Sequence, residues 1–176
     1  HYIHKIQRME APEAEELEAV LTKVEAYESA FQTGNATLDI ILTEKKMLCQ
    51  QEEISFSCMA DGVALEFMNE LDLASLFGNS LDNAIEQERK EAVEKRYIFL
   101  KVQRNGMFVS IRIENYCEIF PEISADGLPV ASSKKDAVFH GYGTKSMQYV
   151  VEKYGGNFRI SREGKLFVVS MLFPMP

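Results

Sequence analysis

Two alternating segments, Tyr97–Arg104 and Met107–Glu114, meet at Asn105-Gly106. Asn-Gly between period-two apolar runs is the strongest short-range signal for a tight β-hairpin. A second alternating pair, Asn157–Arg162 and Leu166–Phe173, turns at Glu163-Gly164-Lys165. Upstream, Ile54, Phe56 and Cys58 alternate with Ser55 and Ser57, which reads as a further strand. Strands with one apolar face need a covering layer. The chain supplies amphipathic helices for it, so the predicted class is α+β: an antiparallel sheet with helices on one face.

The helices are read from their period. Leu73, Leu76, Phe77, Leu81, Ala84 and Ile85 recur at helical spacing through Asp72–Gln87. Leu38, Ile41, Leu42 and Leu48 do so through Ala36–Gln51, and Met147, Val150, Val151 and Tyr154 through Thr144–Tyr154. Gly155-Gly156 stops the last of these. Ahead of them, Leu17, Val20, Leu21, Val24, Tyr27 and Phe31 form one stripe after Pro12, and Thr33-Gly34-Asn35 breaks it. Residues 116 to 140 read as irregular. A connection of that length is long for a compact domain, which suggests a functional lid or a disordered segment.

Composition narrows the function. Hydrophobic residues make up 46% of the chain, as in a globular protein, and the formal net charge is -8. Broad nucleic-acid binding needs clustered Lys and Arg, so that class is set aside. Three cysteines without CxxC spacing suggest reduced thiols and no zinc site. No apolar run approaches the roughly 20 residues of a membrane span, so no membrane contact is expected of this chain. It begins at His1 without an initiator Met, and is expected to be a fragment.

Three polar features carry the chemistry. Asn79, Asn83 and Glu86 fall at i, i+4 and i+7, opposite the apolar stripe of their helix. Asparagine is a poor helix-interior residue because its amide competes with the backbone. The Asn83 amide oxygen is a neutral hard ligand suited to Mg²⁺, and Asn79 could hold a phosphate or a metal-bound water. The bland reading is a pair of exposed or helix-bridging asparagines. Second, His140-Gly141-Tyr142-Gly143-Thr144-Lys145 reads as a glycine loop opening a helix, where backbone N–H groups can meet phosphate. Lys145 in that first turn opposes the helix dipole, which makes sense if it meets an anion. By itself GxG is an ordinary loop. Third, Ile111-Arg112-Ile113-Glu114-Asn115 ends a strand in a polar pair, and Asn115 could read an adenine edge or simply begin a turn.

Their order is more demanding than any one of them: Asn-rich helix, hairpin, polar strand end, long lid, GxG, helix, Gly-Gly, hairpin. From about Leu38 to Pro174 the chain resembles the ATP-binding domain shared by sensor histidine kinases, gyrase, Hsp90 and MutL. The fragments LFGNSLDNAIE, IENYCE and HGYGTKSMQYVVEKYGG look most like the peptide-sensing and quorum-sensing kinases of Gram-positive bacteria. The resemblance implies a two-layer α/β sandwich of the Bergerat type. Residues 34–176 would be the catalytic domain, and 1–33 a remnant of the dimerisation and phosphoacceptor hairpin. It implies ATP and Mg²⁺ as cofactors, with Asn83 on the metal and Asn79 on the phosphates. Gly141, Gly143, Thr144 and Lys145 would lie at the end of the lid. Asn115 would stand where most relatives carry an adenine-binding Asp followed by a glycine-rich DxGxG. Here Tyr116-Cys117-Glu118 follows, without glycine until Gly127.

The same resemblance separates kinase from hydrolase. Relatives that hydrolyse ATP place a Glu base where Asn79 stands, and an amide cannot activate water. Asp82 and Glu86 are the carboxylates left nearby. A kinase instead uses a histidine imidazole as nucleophile. Neither His1 nor His4 has the acidic neighbour of the usual acceptor, and His140 precedes the GxG, so the phosphoacceptor is expected outside the chain. Lys134 and Lys135 could neutralise phosphates or form a solvated charge run. The expected partners are a response regulator and a second copy, paired through the N-terminal helices, in the cytoplasmic part of a membrane-anchored sensor. The alternatives are a nucleotide-binding or dimerisation module without transfer activity, and a serine kinase of the anti-sigma-factor kind.

Overall fold

The structure is a computed structural model that describes residues 31–124, 127–129 and 134–175, with side chains described from residue 143 in the last stretch. The N-terminal stripe, His1 and His4 lie outside the described residues.

Helix α1 spans Ala36–Gln51 and is capped by Asn35, whose Oδ1 accepts from the Leu38 N–H at 3.0 Å. Strand β1 is Ser55–Ala60. Helix α2 spans Glu70–Glu88, and the Asn69 Oδ1 caps it by accepting from the Asp72 N–H at 2.9 Å. Then come β2 (Tyr97–Asn105) and β3 (Phe108–Tyr116), joined at Gly106, which has φ 61. A tight turn with positive φ calls for glycine there. Helix α3 spans Lys134–Lys153, and β4 (Asn157–Glu163) and β5 (Leu166–Pro174) form the last hairpin.

The five strands make one sheet in the order β1-β2-β3-β5-β4. It is mixed, not wholly antiparallel as the sequence suggests. β1 lies parallel to β2, from Ser55 opposite Tyr97 to Ala60 opposite Val102. The reason is the connection: α2 lies between the two strands in sequence and returns the chain to the same edge, as parallel pairs require. The other pairs are antiparallel.

All three helices cover one face. α2 is the central element, packed against α1, α3, β2 and β3. Its Leu73, Leu76, Phe77, Leu81 and Ile85 are sealed with Leu38 and Leu42 of α1 and Ile98, Leu100, Ile111 and Ile113 of the sheet. Each fully buried side chain of this size contributes roughly 1.5–3 kcal/mol relative to exposure. Polar contacts fix the antiparallel α2–α3 pair. Asp72 accepts from the Lys153 Nζ at 2.5 Å and from the Tyr154 hydroxyl at 2.7 Å, and that hydroxyl accepts from the Asn69 N–H at 3.0 Å.

A second difference concerns α3. The sequence reading starts it at Thr144, after a glycine loop, whereas the helix begins at Lys134 and runs through His140–Gly143. Its N–H groups there serve the helix ladder.

Gly155-Gly156 ends α3 as expected. Gly155 takes φ 66, and the Gly156 N–H donates to the Val151 carbonyl at 2.9 Å. Gly156 is also pressed against β5. A Cβ there would stand 2.8 Å from Phe173 Cδ1 and 2.9 Å from the Leu172 carbonyl oxygen. Gly156→Ala is therefore expected to destabilise the domain by about 2 kcal/mol in urea unfolding, since the backbone of β5 cannot rotate aside.

Candidate functional site

The C-terminal half of α2, the start of Thr144–Lys153 in α3, the ends of β3 and β5 and the chain after Tyr116 enclose a cavity of about 760 Å³. That is within the size range of small-molecule sites. Ile113, Met147, Ile160, Phe167 and Val169 supply an apolar wall. Asn83, Asn115 and Thr144 supply convergent polar groups, with Lys90, Lys95, Glu91 and Glu118 at the rim. The helical period places Ser80, Asn83, Ala84 and Gln87 of α2 along the cavity.

Of the residues singled out in the sequence, Asn83, Asn115 and Thr144 are thus brought together. Asn79 is a turn away and ties the helices. Its Nδ2 donates to the Ser75 carbonyl at 2.7 Å and to Ser75 Oγ at 3.2 Å, and Ser75 Oγ shares a hydrogen bond with Ser146 Oγ at 3.0 Å. Gly143 sits on both asparagines. A Cβ on it would lie 3.4 Å from Asn79 Oδ1 and 3.5 Å from Asn83 Oδ1. Those are ordinary contact distances, so space alone does not require a glycine in the body of α3, where glycine costs about 1 kcal/mol relative to alanine. Lys145 is exposed on α3 and does not line the cavity. Gly141 lies in the helical backbone, and the side chains of Lys134, Lys135 and His140 fall outside the described ones.

Asp82, Glu86 and Glu118 are poorly suited to activating water. Asp82 faces α1, where it holds the buried Lys45 Nζ at 2.9 Å, and neither it nor Glu86 lines the cavity. Glu118 is hydrogen-bonded by Lys165, Tyr116 and Lys95, which draws its carboxyl down to about 2 and leaves it a weak base. The thiols are no better as nucleophiles. Burial pushes Cys49 up to about 11 and Cys58 up to about 12.

One functional candidate escapes the sequence reading. Glu88, the last residue of α2, is fully buried behind Asn115. Its Oε2 accepts from the Tyr97 N–H at 2.8 Å and its Oε1 from Asn115 Nδ2 at 3.3 Å. Burial pushes its carboxyl up to about 7, against these two donors and the Tyr116 backbone, which favour the ionised form. The sequence does hold a signal for it. Phe77, Leu81, Ala84 and Glu88 follow one another at helical spacing, so Glu88 continues the apolar stripe.

No cluster of three or more His, Cys, Asp or Glu among the described residues could hold a metal by itself. A divalent cation here would have to arrive with a phosphate and take an amide oxygen, which fits Asn83.

The profile of the GHKL domain family matches residues 68–174. The chain belongs to that family. The matched span takes in α2, the sheet from β2 onward and α3, and hence every residue of the cavity. Among solved structures, the domain resembles the catalytic domain of histidine kinase ThkA (17% identity, TM-score 0.59, covering 80% of this chain and 96% of that one). It also resembles the Acinetobacter baumannii histidine kinase AdeS (12%, 0.52, covering 80% and 64%). A third likeness is to the histidine kinase domain of the blue-light activated kinase of Erythrobacter litoralis (14%, 0.53, covering 77% and 59%). At these identities the likeness is one of fold, and this chain spans less than two thirds of AdeS and of the Erythrobacter domain. No curated protein matches the sequence. Among the described residues of this GHKL domain, no helix is long and apolar enough to cross a membrane.

Proposed function

We propose that this GHKL domain binds Mg·ATP in the cavity and is the catalytic part of a sensor histidine kinase of the peptide-sensing kind. The observation that carries the reading is the convergence of Asn83, Asn115 and Thr144 on one cavity with an apolar wall. The apolar wall suits a base, and Asn115 lies against it. Asn83 would hold the Mg²⁺, which neutralises phosphate charge when bound. Asn79 would support the phosphates indirectly, through the Ser75–Ser146 link that sets Gly143 against both amides. Thr144 lines the cavity already, whereas Gly141, Gly143 and Lys145 would meet the phosphates only once the helix opens there, since their N–H groups serve its ladder and Lys145 lies off the cavity.

Transfer to histidine is favoured over hydrolysis by the set of carboxylates. The position of a water-activating Glu is occupied by Asn79, Asp82 is paired with Lys45, and Glu118 is drawn to low pKa. Phosphoryl transfer to an imidazole asks mainly for positioning and charge neutralisation. The acceptor would lie outside this chain, on a dimerisation helix, with a response regulator as the next acceptor and homodimerisation through the N-terminal helices. The experiment is incubation with ATP labelled at the γ-phosphate and a separate histidine-bearing dimerisation helix. Acid-labile label on that helix, with phosphate release near background, is expected. Steady phosphate release without labelled helix would make the domain an ATPase, and binding with neither would favour a non-catalytic nucleotide module.

A further inference from the structure

The Asn115 amide is held in one orientation. Its Nδ2 donates to the Tyr116 carbonyl at 2.9 Å and to Glu88 Oε1 at 3.3 Å, so both N–H bonds are spent on the protein. A flipped amide would set its oxygen against the Tyr116 carbonyl, which can only accept. No donor among the described residues reaches Asn115 Oδ1. Among the described residues no side-chain polar atom that is sealed from solvent lacks a partner, so Oδ1 opens on the cavity that Asn115 lines. The cavity therefore meets an acceptor, as it would meet a carboxylate, but without the charge.

Glu88 enforces this at a cost. A fully buried carboxyl at the C-terminal end of a helix opposes the dipole, and no Lys or Arg pairs with it among the described residues. What it has instead are N–H donors, among them the Tyr97 backbone on one oxygen and the Asn115 amide on the other, with the Tyr116 backbone beside them. A residue that breaks local rules where a site is built is a candidate for a role in that site.

We propose that Glu88 is a positioning and specificity-determining residue: it locks the Asn115 amide with Oδ1 toward the cavity, so that the site selects a purine bearing an amino group at position 6. The inference rests on the nucleotide reading above. At position 6 adenine offers that donor, whereas a 6-oxo purine offers an acceptor that Oδ1 repels, its own donor standing one atom away at N1. A buried group left facing its like discriminates far more strongly than a change of shape.

The test compares Mg·ATP with Mg·ITP, which differ in the base by the 6-amino to 6-oxo exchange and the N1–H that comes with it, on the whole chain. Wild type is expected to bind ATP at least about tenfold tighter than ITP. In Glu88→Gln one oxygen becomes a donor, so the new side chain can no longer accept from both Tyr97 and Asn115. The Asn115 amide then keeps the Tyr116 carbonyl but loses the second of its two anchors, and the preference should drop to about threefold or less. Asn115→Asp should weaken ATP binding, although it installs the carboxylate that most relatives carry. Its new oxygen would face both the Tyr116 carbonyl and Glu88. Glu88→Gln in the Asn115→Asp background should recover part of the loss, because the introduced amide then offers a donor to the introduced carboxylate. An unchanged ATP-to-ITP ratio in folded Glu88→Gln would overturn the role of Glu88 while leaving the nucleotide site standing. Binding of neither nucleotide by wild type would overturn both. Should Glu88→Gln fail to fold, the Asn115 side-chain amide is read by ¹⁵N NMR in wild type: two distinct, slowly exchanging protons are expected, and a rapidly exchanging pair would refute the lock.

Discussion

Wild-type protein is expected to lose about 3 kcal/mol of stability relative to Glu88→Gln as pH rises from 4.5 to 8. The folded Glu88 carboxyl titrates near about 7, against an ordinary value of 4.5. Between those values the folded state binds a proton that the unfolded chain has released. Protonation therefore favours folding, and its contribution is complete below the unfolded pKa and lost as pH passes the folded one. The cause is burial at the end of α2, to which the neighbouring Glu91 carboxylate adds. Cys49 and Cys117, which also feel Glu88, stay protonated over this range because burial raises them too. The glutamine side chain does not titrate, so subtracting the variant's urea-unfolding curve removes every other group. A pH-independent difference between the two proteins would mean that the Glu88 charge is solvated and that its hold on Asn115 is weak.

The double substitution Gly141→Ala with Gly143→Ala is expected to raise stability by up to about 2 kcal/mol, at about 1 kcal/mol per glycine in a helix interior. The same change should weaken Mg·ATP binding by at least about tenfold. α3 runs through both positions, so its N–H groups there bond within the helix. A phosphate cradle at the same residues needs those N–H groups turned outward, and alanine holds them in the ladder. At Gly143 the added methyl would also stand in contact with the Asn79 and Asn83 amide oxygens, at 3.4 and 3.5 Å. Calorimetric unfolding and nucleotide titration on one preparation check both signs. Higher stability with unchanged affinity would remove Gly141 and Gly143 from the site.

What is legible in the sequence is what local chemistry dictates. Helix α1 appears at Ala36–Gln51 because Asn35 caps it and Leu38 and Leu42 give it a buried face. Both hairpins appear because Gly106 and Gly164 meet the positive φ that their turns require. The parallel placing of β1 is hidden, since strand order depends on which edge α2 returns to and not on any residue of β1 itself. The start of α3 is obscured for the opposite reason. Glycine at 141 and 143 reads as loop, although the helix runs through both positions. Asn83 and Asn115, both of which line the cavity, are legible as candidates because amides are conspicuous on a helix and at a strand end. Glu88 is not, because its carboxylate looks like the beginning of the charged stretch that follows it.

The central claim is a Mg·ATP site centred on Asn83. Titration calorimetry of the whole chain with ATP, with and without Mg²⁺, and of Asn83→Ala under the same conditions, tests it most directly. The account predicts binding by wild type that depends on Mg²⁺ and falls at least about tenfold without the Asn83 amide. Binding of equal strength with Asn83 removed, or no binding by wild type at all, would contradict it.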